Sequence, residues 1–359
     1  MLLPAIPNYI HKTKVEALSA PLSKFDLSIN NDYQYYFNSE FSQFDYDQLL
    51  YQNSQVHSSR FLSHLHEVAD RISAFATSHS KILEIGCGKG YFIDILSEHG
   101  LRNLTGYDVT YEGHDNRILP RYFDETDHDF NADLIILRHT LEHIPNPVEF
   151  LHRIANINGN PNAVFIIEVP CFDWIIDNSA YWDITIEHCN YFTDQSFRLI
   201  FFDANVDNLF DRQYLLAVGK ASALSLCSGL ECSPTNLVEK IFASGYPPPT
   251  LKNFRDDGNL RVSSSRYWVW GSATKGVMYL YHMNRLEPAS SPPLGCIDIN
   301  PEKQGHFLGV LGYEVISPQT FFDRAREGDD VIVSNPTYLP EIQKLIHNSI
   351  EFHVNILSL

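Results

Sequence analysis

The stretch that decides the fold is residues 81–108, KILEIGCGKGYFIDILSEHGLRNLTGYD. Lys81–Ile85 is an apolar run of strand length, and the glycine turn GCGKG follows it directly over residues 86–90. The pattern then predicts a helix from Tyr91 to about His99 and a second strand over Asn103–Asp108. A strand, a glycine turn, a helix and a further strand form one unit of a parallel α/β sheet, with the turn at the edge where ligands bind.

The glycine turn and the acids around it predict a site for a nucleoside. Gly86, Gly88 and Gly90 let the backbone approach a ligand closely, and the following helix directs free N–H groups at that ligand. Asp108 ends the next strand, where its carboxylate can accept both hydroxyl hydrogens of a ribose. Glu84 precedes the turn by two residues and suits a cationic group, such as an amino group or a sulfonium.

Two other interpretations of this turn stay open. One is a tight strand-to-helix turn that binds nothing. The other is the dinucleotide site of a nicotinamide-dependent oxidoreductase, whose pattern is G-x-G-x-x-G; here the third glycine comes one residue early. Because Glu84 and a pyrophosphate would repel each other, the residues favour a nucleoside cofactor without phosphates.

Elements of the same alternating type surround this unit. Apolar residues at helical spacing predict a helix from Ser58 to Phe75, with Ser58 or Ser59 as its cap. The elements predicted beyond Asp108 are strands at Arg117–Leu119, Ala132–Leu137, Ala163–Val169 and Arg212–Gly219, and helices at Pro147–Ile157 and Ser196–Asp203. We therefore expect a Rossmann-like α/β domain, a parallel sheet with helices on both faces.

A second, smaller α/β Rossmann-like domain is predicted near the C-terminus. Its predicted elements are strands at Arg266–Trp270, Gly295–Ile299 and Asp330–Ser334, a turn at Gly271–Gly276, and helices at Val277–Met283 and Leu339–His347. The predicted organisation is an irregular lead-in over residues 1–44, a cofactor domain over 45–222 and the second domain over 223–359. The Pro/Gly-rich join near residues 245–250, with prolines at 247–249, is expected to allow hinge motion over the cleft.

Composition limits the partners. The 359 residues carry a net charge of −18, so an acidic surface disfavours nucleic acid and anionic membranes, and the expected partner is a small molecule. No segment approaches the roughly 20 apolar residues that span a bilayer. The six cysteines include no C-x-x-C pair, so we expect free thiols in the cytosol and no metal site. The composition favours no particular oligomeric state.

The glycine turn and Asp108 resemble the first and second motifs of class I S-adenosylmethionine-dependent methyltransferases. The resemblance implies that Gly86, Gly88 and Gly90 lie under the amino-acid end of S-adenosylmethionine and that Asp108 binds its ribose. Adenine contacts follow the third strand in that family, which implies Tyr122 and Phe123 here.

Further stretches resemble the nucleotide-sugar C-methyltransferases of deoxysugar pathways. They are YQNSQVHS at 51–58, RHTLEHIP at 138–145, EHCNYF at 187–192, GSATKG at 271–276 and DINPEKQG at 298–305. In that family a base removes a proton beside a ketone of a nucleotide-linked sugar, and the resulting enolate takes the methyl group. The resemblance implies that His188 is the base, since a neutral histidine at pH 7 can accept a proton, with Glu187, His143 and Tyr51 around it.

The same resemblance implies roles for residues farther from the base. Gln55 and His57 are expected to close the cofactor pocket. Arg138, at which the sequence departs from the family, is also expected to line that pocket. Lys275 and Asp298 in the second domain are expected to bind the nucleotide part of the substrate, Lys275 as a point charge for a phosphate.

The sequence departs from this family at several positions. Residues 1–44 contain no cysteine, so the family's N-terminal zinc domain is not expected. Thr185 stands where the family often has a tyrosine that can polarise the ketone. Methylation of an oxygen therefore stays an alternative, as do a nicotinamide-dependent oxidoreductase and a cofactor-binding protein without catalytic activity.

Overall fold

The computed structural model describes residues 1–42, 51–52, 54–225, 266–286 and 291–359. The strands of these residues are β1 (Leu2–Pro4), β2 (Ile10–His11), β3 (Leu22–Lys24), β4 (Leu27–Ile29), β5 (Tyr36–Asn38), β6 (Lys81–Ile85), β7 (Asn103–Tyr107), β8 (Ile118–Leu119), β9 (Leu134–Arg138), β10 (Val164–Pro170), β11 (Asn190–Tyr191), β12 (Asn205–Leu209), β13 (Tyr214–Lys220), β14 (Tyr267–Trp270), β15 (Cys296–Ile297), β16 (Phe307–Leu308), β17 (Val315–Ile316), β18 (Asp330–Val333) and β19 (Asn355–Ser358). The helices are α1 (Lys14–Leu18), α2 (Ser59–Ser73), α3 (Tyr91–Glu98), α4 (Pro147–Asn158), α5 (Phe172–Asp177), α6 (Asp194–Ile200), α7 (Thr274–Leu286), α8 (Pro318–Arg324) and α9 (Leu339–Ser349).

The main sheet of the described residues has seven strands in the order β12-β13-β10-β9-β6-β7-β8. Only β13 among them runs antiparallel to its neighbours. The sequence predicted a parallel sheet that contains β6, but it predicted neither β12 nor the reversal at β13. Because parallel strands end at one edge, the turns that follow β6, β7, β9 and β10 lie together.

Helices cover both faces of this sheet, as the alternating pattern predicted. In β6, Ile82 and Leu83 point to opposite faces and belong to two separate apolar cores. Val68 of α2 shares a core with Ile82, and Leu151 of α4 shares the other with Leu83. Ser58 caps α2 by accepting a hydrogen bond from the backbone of Phe61, which confirms the predicted start of that helix.

A second α/β region follows residue 266, as predicted. Among the described residues, five of its strands form a parallel sheet in the order β17-β15-β14-β18-β19. Trp268 and Trp270 of β14 pack edge-on against Phe321 of α8 and form the centre of its core. The predicted hinge at residues 247–249 lies outside the described residues, and the predicted domain boundary stays a prediction.

The N-terminal segment is not the irregular lead-in that the sequence predicted. Residues 2–38 form β1–β5 and α1. Strand β5 pairs with β11 of the first α/β region, and β2 pairs with β16 of the second. The strands of this segment have only two or three residues, and two of them pair with partners far along the chain, so local periodicity does not reveal them. The segment therefore joins the two regions.

Neither a membrane span nor a disulfide was expected. Within the described ranges, none of the helices combines the length and apolar character that crossing a bilayer requires. Cys87, Cys171, Cys189 and Cys296 are buried free thiols.

Candidate functional site

The glycine turn is packed at its ends and open in its middle. Gly86, Gly88 and Gly90 all have positive φ angles, of 77°, 54° and 82°. A Cβ on Gly86 would overlap the hydroxyl of Thr140, and one on Gly90 would overlap the Ile118 side chain. Among the described residues, apart from the two neighbours of Gly88 in the chain, no heavy atom lies within 4 Å of its Cβ position. The backbone at Gly88 therefore faces space that a ligand can enter.

Asp108 lies beside this open backbone, half-buried at the end of β7. Its Oδ2 accepts a hydrogen bond of 2.8 Å from the backbone N–H of Gly88, and its Oδ1 accepts bonds from the N–H and hydroxyl of Thr110. Oδ1 already accepts two hydrogen bonds, whereas Oδ2 accepts one and keeps a lone pair for a hydroxyl of a ribose. The glycine turn and Asp108 therefore lie next to each other, as the sequence predicted.

Glu84 and Arg138 end two adjacent strands, β6 and β9, and are buried together near the turn. Within the described residues, Oε2 of Glu84 and Nη2 of Arg138 have no hydrogen-bond partner. Burial raises the pKa of Glu84 to about 7; Arg138 opposes this rise, and Asp108 and Glu168 add to it. Unsatisfied buried charges are costly, so a zwitterion with an ammonium for Glu84 and a carboxylate for Arg138 fits here.

Arg138 forms an ion pair with Glu168 of β10. Its Nε donates a 2.7 Å hydrogen bond to Glu168, and its guanidinium lies 4.2 Å from the centre of the Phe92 ring. Glu168 also bonds Nε2 of His64, a fully buried residue of α2. The sequence pattern predicted neither Glu168 nor His64 as part of the site.

Replacing Gly88 by alanine is expected to weaken binding of S-adenosylhomocysteine about tenfold or more, because the new methyl group enters the space that a ligand needs. Gly100 supplies a matched control: its φ is 85°, and no atom lies within 4 Å of its Cβ position. Both alanine variants bear a similar left-handed strain of about 1–2 kcal/mol. Isothermal titration calorimetry and denaturant unfolding separate the effects, and equal affinities of the two variants would contradict the ligand position.

The affinity for S-adenosylmethionine is expected to rise between pH 5.5 and 7. The folded-state pKa of Glu84 is about 7, so the carboxyl is mostly neutral below that pH and does not attract an ammonium. The ligand's α-amino group, with an ordinary pKa of about 7.7–8.0, stays protonated over this range. The gain is at most about tenfold per pH unit.

The same pKa shift has a consequence for the ligand-free protein. A raised carboxyl pKa stabilises the fold below the unfolded-state pKa, and that contribution is lost as the pH rises through about 7. Glu84→Gln should therefore flatten the pH profiles of cofactor affinity and of ligand-free stability over this range. A wild-type affinity that does not change from pH 5.5 to 7 would rule out Glu84 as the ammonium partner.

The remaining predicted cofactor residues are placed less favourably. Phe123 is a core residue, packed edge-on against Tyr107 and Phe130, so its expected role as an adenine platform is not supported. Tyr122 and His57 are both exposed. Gln55 accepts a 2.6 Å hydrogen bond from the hydroxyl of Tyr338 in the second α/β region.

The residues predicted to act on the methyl acceptor lie next to the glycine turn. We call Glu142, His143, Glu187 and His188 the acceptor cluster. Thr140, which packs against Gly86, leads into a 3-10 turn, Leu141–His143. His143 and His188 lie with ring centres 5.0 Å apart and nearly perpendicular. Nδ1 of His143 is 2.7 Å from the carbonyl oxygen of Glu187 and therefore donates to it. The two histidines that the sequence placed in the site are thus brought together.

His188 has a free, buried nitrogen. Its Nδ1 has no hydrogen-bond partner in the described part of the chain. Burial, then the neighbouring His143, lowers the pKa of His188 to about 3, so the ring is neutral at pH 7. For Glu142, burial alone would raise the pKa, but its hydrogen bond with His139 and the nearby histidines lower it. A neutral imidazole therefore lies close to an ionised carboxylate.

Glu187 is buried at the boundary with the second α/β region. Burial raises its pKa to about 7, and a hydrogen bond with Tyr51 opposes this rise. Asn8 donates to Glu187 at 3.4 Å and to the hydroxyl of Thr274 at 2.8 Å, while the N–H of Thr274 donates back to Asn8. The N-terminal segment thus connects the acceptor cluster to the start of α7. Nothing in the sequence pattern indicated Asn8.

The second α/β region uses its predicted ligand residues for internal contacts. Lys275 forms an ion pair with Asp183 and is not a free phosphate ligand. Asp298 accepts hydrogen bonds from the N–H groups of Ser272 and Asn300. Lys303 is buried and donates to the carbonyl of Ser272. The bond from Ser272 to Asp298 parallels the one from Gly88 to Asp108 and holds the second turn without a ligand.

Comparison with known proteins agrees with this architecture. Residues 57–209, from the approach to α2 to the end of β12, match the sequence profile of a family described as a methyltransferase domain. None of the curated proteins compared with the chain matches it.

Solved structures with similar folds were also found. A chain of the complex between the Haloferax volcanii Trm112 methyltransferase activator and a methyltransferase is 16% identical with a TM-score of 0.38; the match covers 47% of this protein and 94% of that chain. A SAM-dependent methyltransferase from Archaeoglobus fulgidus is 17% identical with a TM-score of 0.34, and the match covers 45% of this protein and 95% of that chain. Human N-acetylserotonin methyltransferase, solved with SAM, is 16% identical with a TM-score of 0.34, and the match covers 45% of this protein and 54% of that chain.

Residues 57–209 therefore match a methyltransferase-domain family in sequence and have the Rossmann-like α/β fold that the sequence predicted. The predicted enzyme class, an S-adenosylmethionine-dependent methyltransferase, and the predicted cofactor are confirmed. The family match favours this interpretation over the nicotinamide alternative.

Proposed function

We propose that the protein methylates a carbon next to the ketone of a nucleotide-linked sugar, with His188 as the general base. The observation that carries this proposal is the unpartnered, buried Nδ1 of His188, beside Glu142 and His143 and next to the loop that packs on the glycine turn. The resemblance of the chain to nucleotide-sugar C-methyltransferases supplies the acceptor class.

The cofactor lies along the carboxyl edge of the main sheet in this proposal. Gly88 provides open backbone, Asp108 binds the ribose, and Glu84 and Arg138 hold the ammonium and carboxylate of the methionine end. When bound, S-adenosylmethionine supplies a methyl group on a positively charged sulfur.

His188 takes a proton from the acceptor. Nδ1 accepts the proton from the carbon beside the ketone, and the electron pair of the broken C–H bond stays on the acceptor as an enolate. The carboxylate of Glu142 stabilises the imidazolium that forms. The Tyr51 hydroxyl hydrogen-bonds Glu187 at the boundary between the regions, and donating to the acceptor oxygen requires it to turn its single proton away from that carboxylate. Asp298 and Lys275 belong to the proposed nucleotide side; a phosphate at Lys275 requires the ion pair with Asp183 to open.

Oxygen methylation is the second candidate, and Thr185 is the observation that favours it. Thr185 stands where the C-methyltransferases often have a phenol to polarise the ketone, and its side chain is buried. His188 can remove a proton from a hydroxyl by the same chemistry.

Proton exchange separates the two candidates without methyl transfer. In D₂O with S-adenosylhomocysteine bound, a base next to a ketone should exchange the α-proton of a nucleotide-linked ketosugar for deuterium, as nuclear magnetic resonance detects. His188→Gln should abolish that exchange. With ¹³C-labelled cofactor, the methyl carbon should appear bonded to carbon. If the ketosugars showed no deuterium exchange and the corresponding alcohol gave a methyl ether, oxygen methylation would replace carbon methylation as the function.

A further inference from the structure

The acceptor cluster contains a set of donors that suits a transition-metal cation. Glu142, His143 and His188 each offer one ligand atom, and these atoms lie within 4.8 Å of one another. Two imidazole nitrogens and a carboxylate oxygen are ligands that Zn²⁺ and related divalent cations accept, leaving a further position open. The cysteine spacing had predicted no metal, but this donor set contains no cysteine.

Two of the three side chains have unused buried donor atoms. Glu142 is only 1% exposed, and its Oε1 lies 3.4 Å from Nδ1 of His139. Its other oxygen, Oε2, and Nδ1 of His188 are buried without a hydrogen-bond partner within the described ranges. Buried polar atoms of this kind usually have a partner, so the two orphaned atoms indicate a missing one.

The third ligand is oriented by the backbone. Nδ1 of His143 donates to the carbonyl of Glu187, which leaves the lone pair on Nε2. A backbone carbonyl that fixes the other ring nitrogen is the usual second partner of a metal-bound histidine. The cluster therefore has a ligand that already presents the correct tautomer.

We propose that Glu142, His143 and His188 bind a divalent transition-metal cation such as Zn²⁺, and that the bound cation inhibits methyl transfer. The inhibition rests on the proposed function, because a lone pair of His188 that binds a cation cannot accept a proton. The binding itself does not depend on the acceptor.

The cation is expected to bind once per chain, and its affinity is expected to depend on Glu142. Calorimetry with Zn²⁺ alone, and visible absorption with Co²⁺ alone, should give one site in the ligand-free full-length protein. Glu142→Gln and His188→Gln should each weaken Zn²⁺ binding about tenfold or more. Circular dichroism of both variants checks that they remain folded.

A second histidine group provides the control. Nδ1 of His66 lies 3.1 Å from Nε2 of His99 near the surface, and Oδ1 of Asp70 lies 3.2 Å from Nδ1 of His99. His99→Asn removes this group, and we expect it to leave the stoichiometry and the Co²⁺ spectrum unchanged. Zn²⁺ should also reduce methyl transfer to a confirmed acceptor reversibly, with chelator restoring it and with the affinity for S-adenosylmethionine preserved.

The outcomes are separable. Absence of Zn²⁺ binding, or binding that Glu142→Gln does not weaken and His99→Asn removes, overturns the metal site and leaves the base assignment intact. Faster methyl transfer with Zn²⁺ overturns the inhibition and the role of His188 as base together. Binding in a protein that methylates none of the ketosugars supports the site while the proposed acceptor fails.

Discussion

Replacing His188 by glutamine is expected to lower kcat by about 10²–10⁴-fold, the usual contribution of a general base. The affinity for S-adenosylmethionine should stay within about twofold, because the glycine turn, Asp108 and Glu84 are unchanged. Glutamine retains a polar side chain of similar length but cannot accept a proton at neutral pH. Labelled-methyl transfer in the presence of a chelator measures kcat, and calorimetry measures the cofactor affinity.

His152 supplies the control for this variant. It is a half-buried histidine of α4, and its Nε2 bonds the carbonyl of Ser225. His152→Gln should leave kcat within about twofold, because no role in the reaction is proposed for it. If His188→Gln kept more than about a third of the wild-type kcat, another group would have to be the base, with the assignment of His188 rejected.

The cofactor half of the site was predictable because its parts are local in sequence. A strand, three glycines, a helix and an acid at the end of the next strand lie within residues 81–108, and their order alone places them at one sheet edge. The roles of Tyr122 and Phe123 were less predictable, because β8 has only two residues. Such a short strand does not determine which of the following aromatic side chains faces the core. In the structure, that side chain is Phe123.

The acceptor half depends on contacts that sequence patterns do not carry. Asn8 and Thr274 are 266 residues apart and share two hydrogen bonds. The ion pair between Lys275 and Asp183 spans 92 residues. Short strands in residues 2–38 give no periodicity long enough to read, so the segment that connects the two regions was expected to be irregular. Long-range pairing, not local propensity, shapes this half of the site.

The largest effect on stability is expected from Arg138→Met, which removes the cation that pairs with the fully buried Glu168. Glu168 is 0% exposed, and burial alone would raise its pKa. Arg138, then the hydrogen bond from His64, instead lower the pKa of Glu168 well below its ordinary value. Breaking such a pair from one side leaves an uncompensated charge and costs about 3–5 kcal/mol of unfolding free energy.

A double variant distinguishes charge from packing in this prediction. Arg138 also packs on Phe92, so methionine was chosen to keep much of its apolar volume. If the charge of Glu168 causes the loss, Arg138→Met combined with Glu168→Gln should be more stable than Arg138→Met alone, since the neutral amide can still bond His64. Guanidinium unfolding measures all three proteins. Additive losses would attribute the cost to packing instead. Because Arg138 is also the proposed partner of the cofactor carboxylate, the rescued double variant should fold yet bind S-adenosylmethionine weakly, which separates support of the fold from recognition of the ligand.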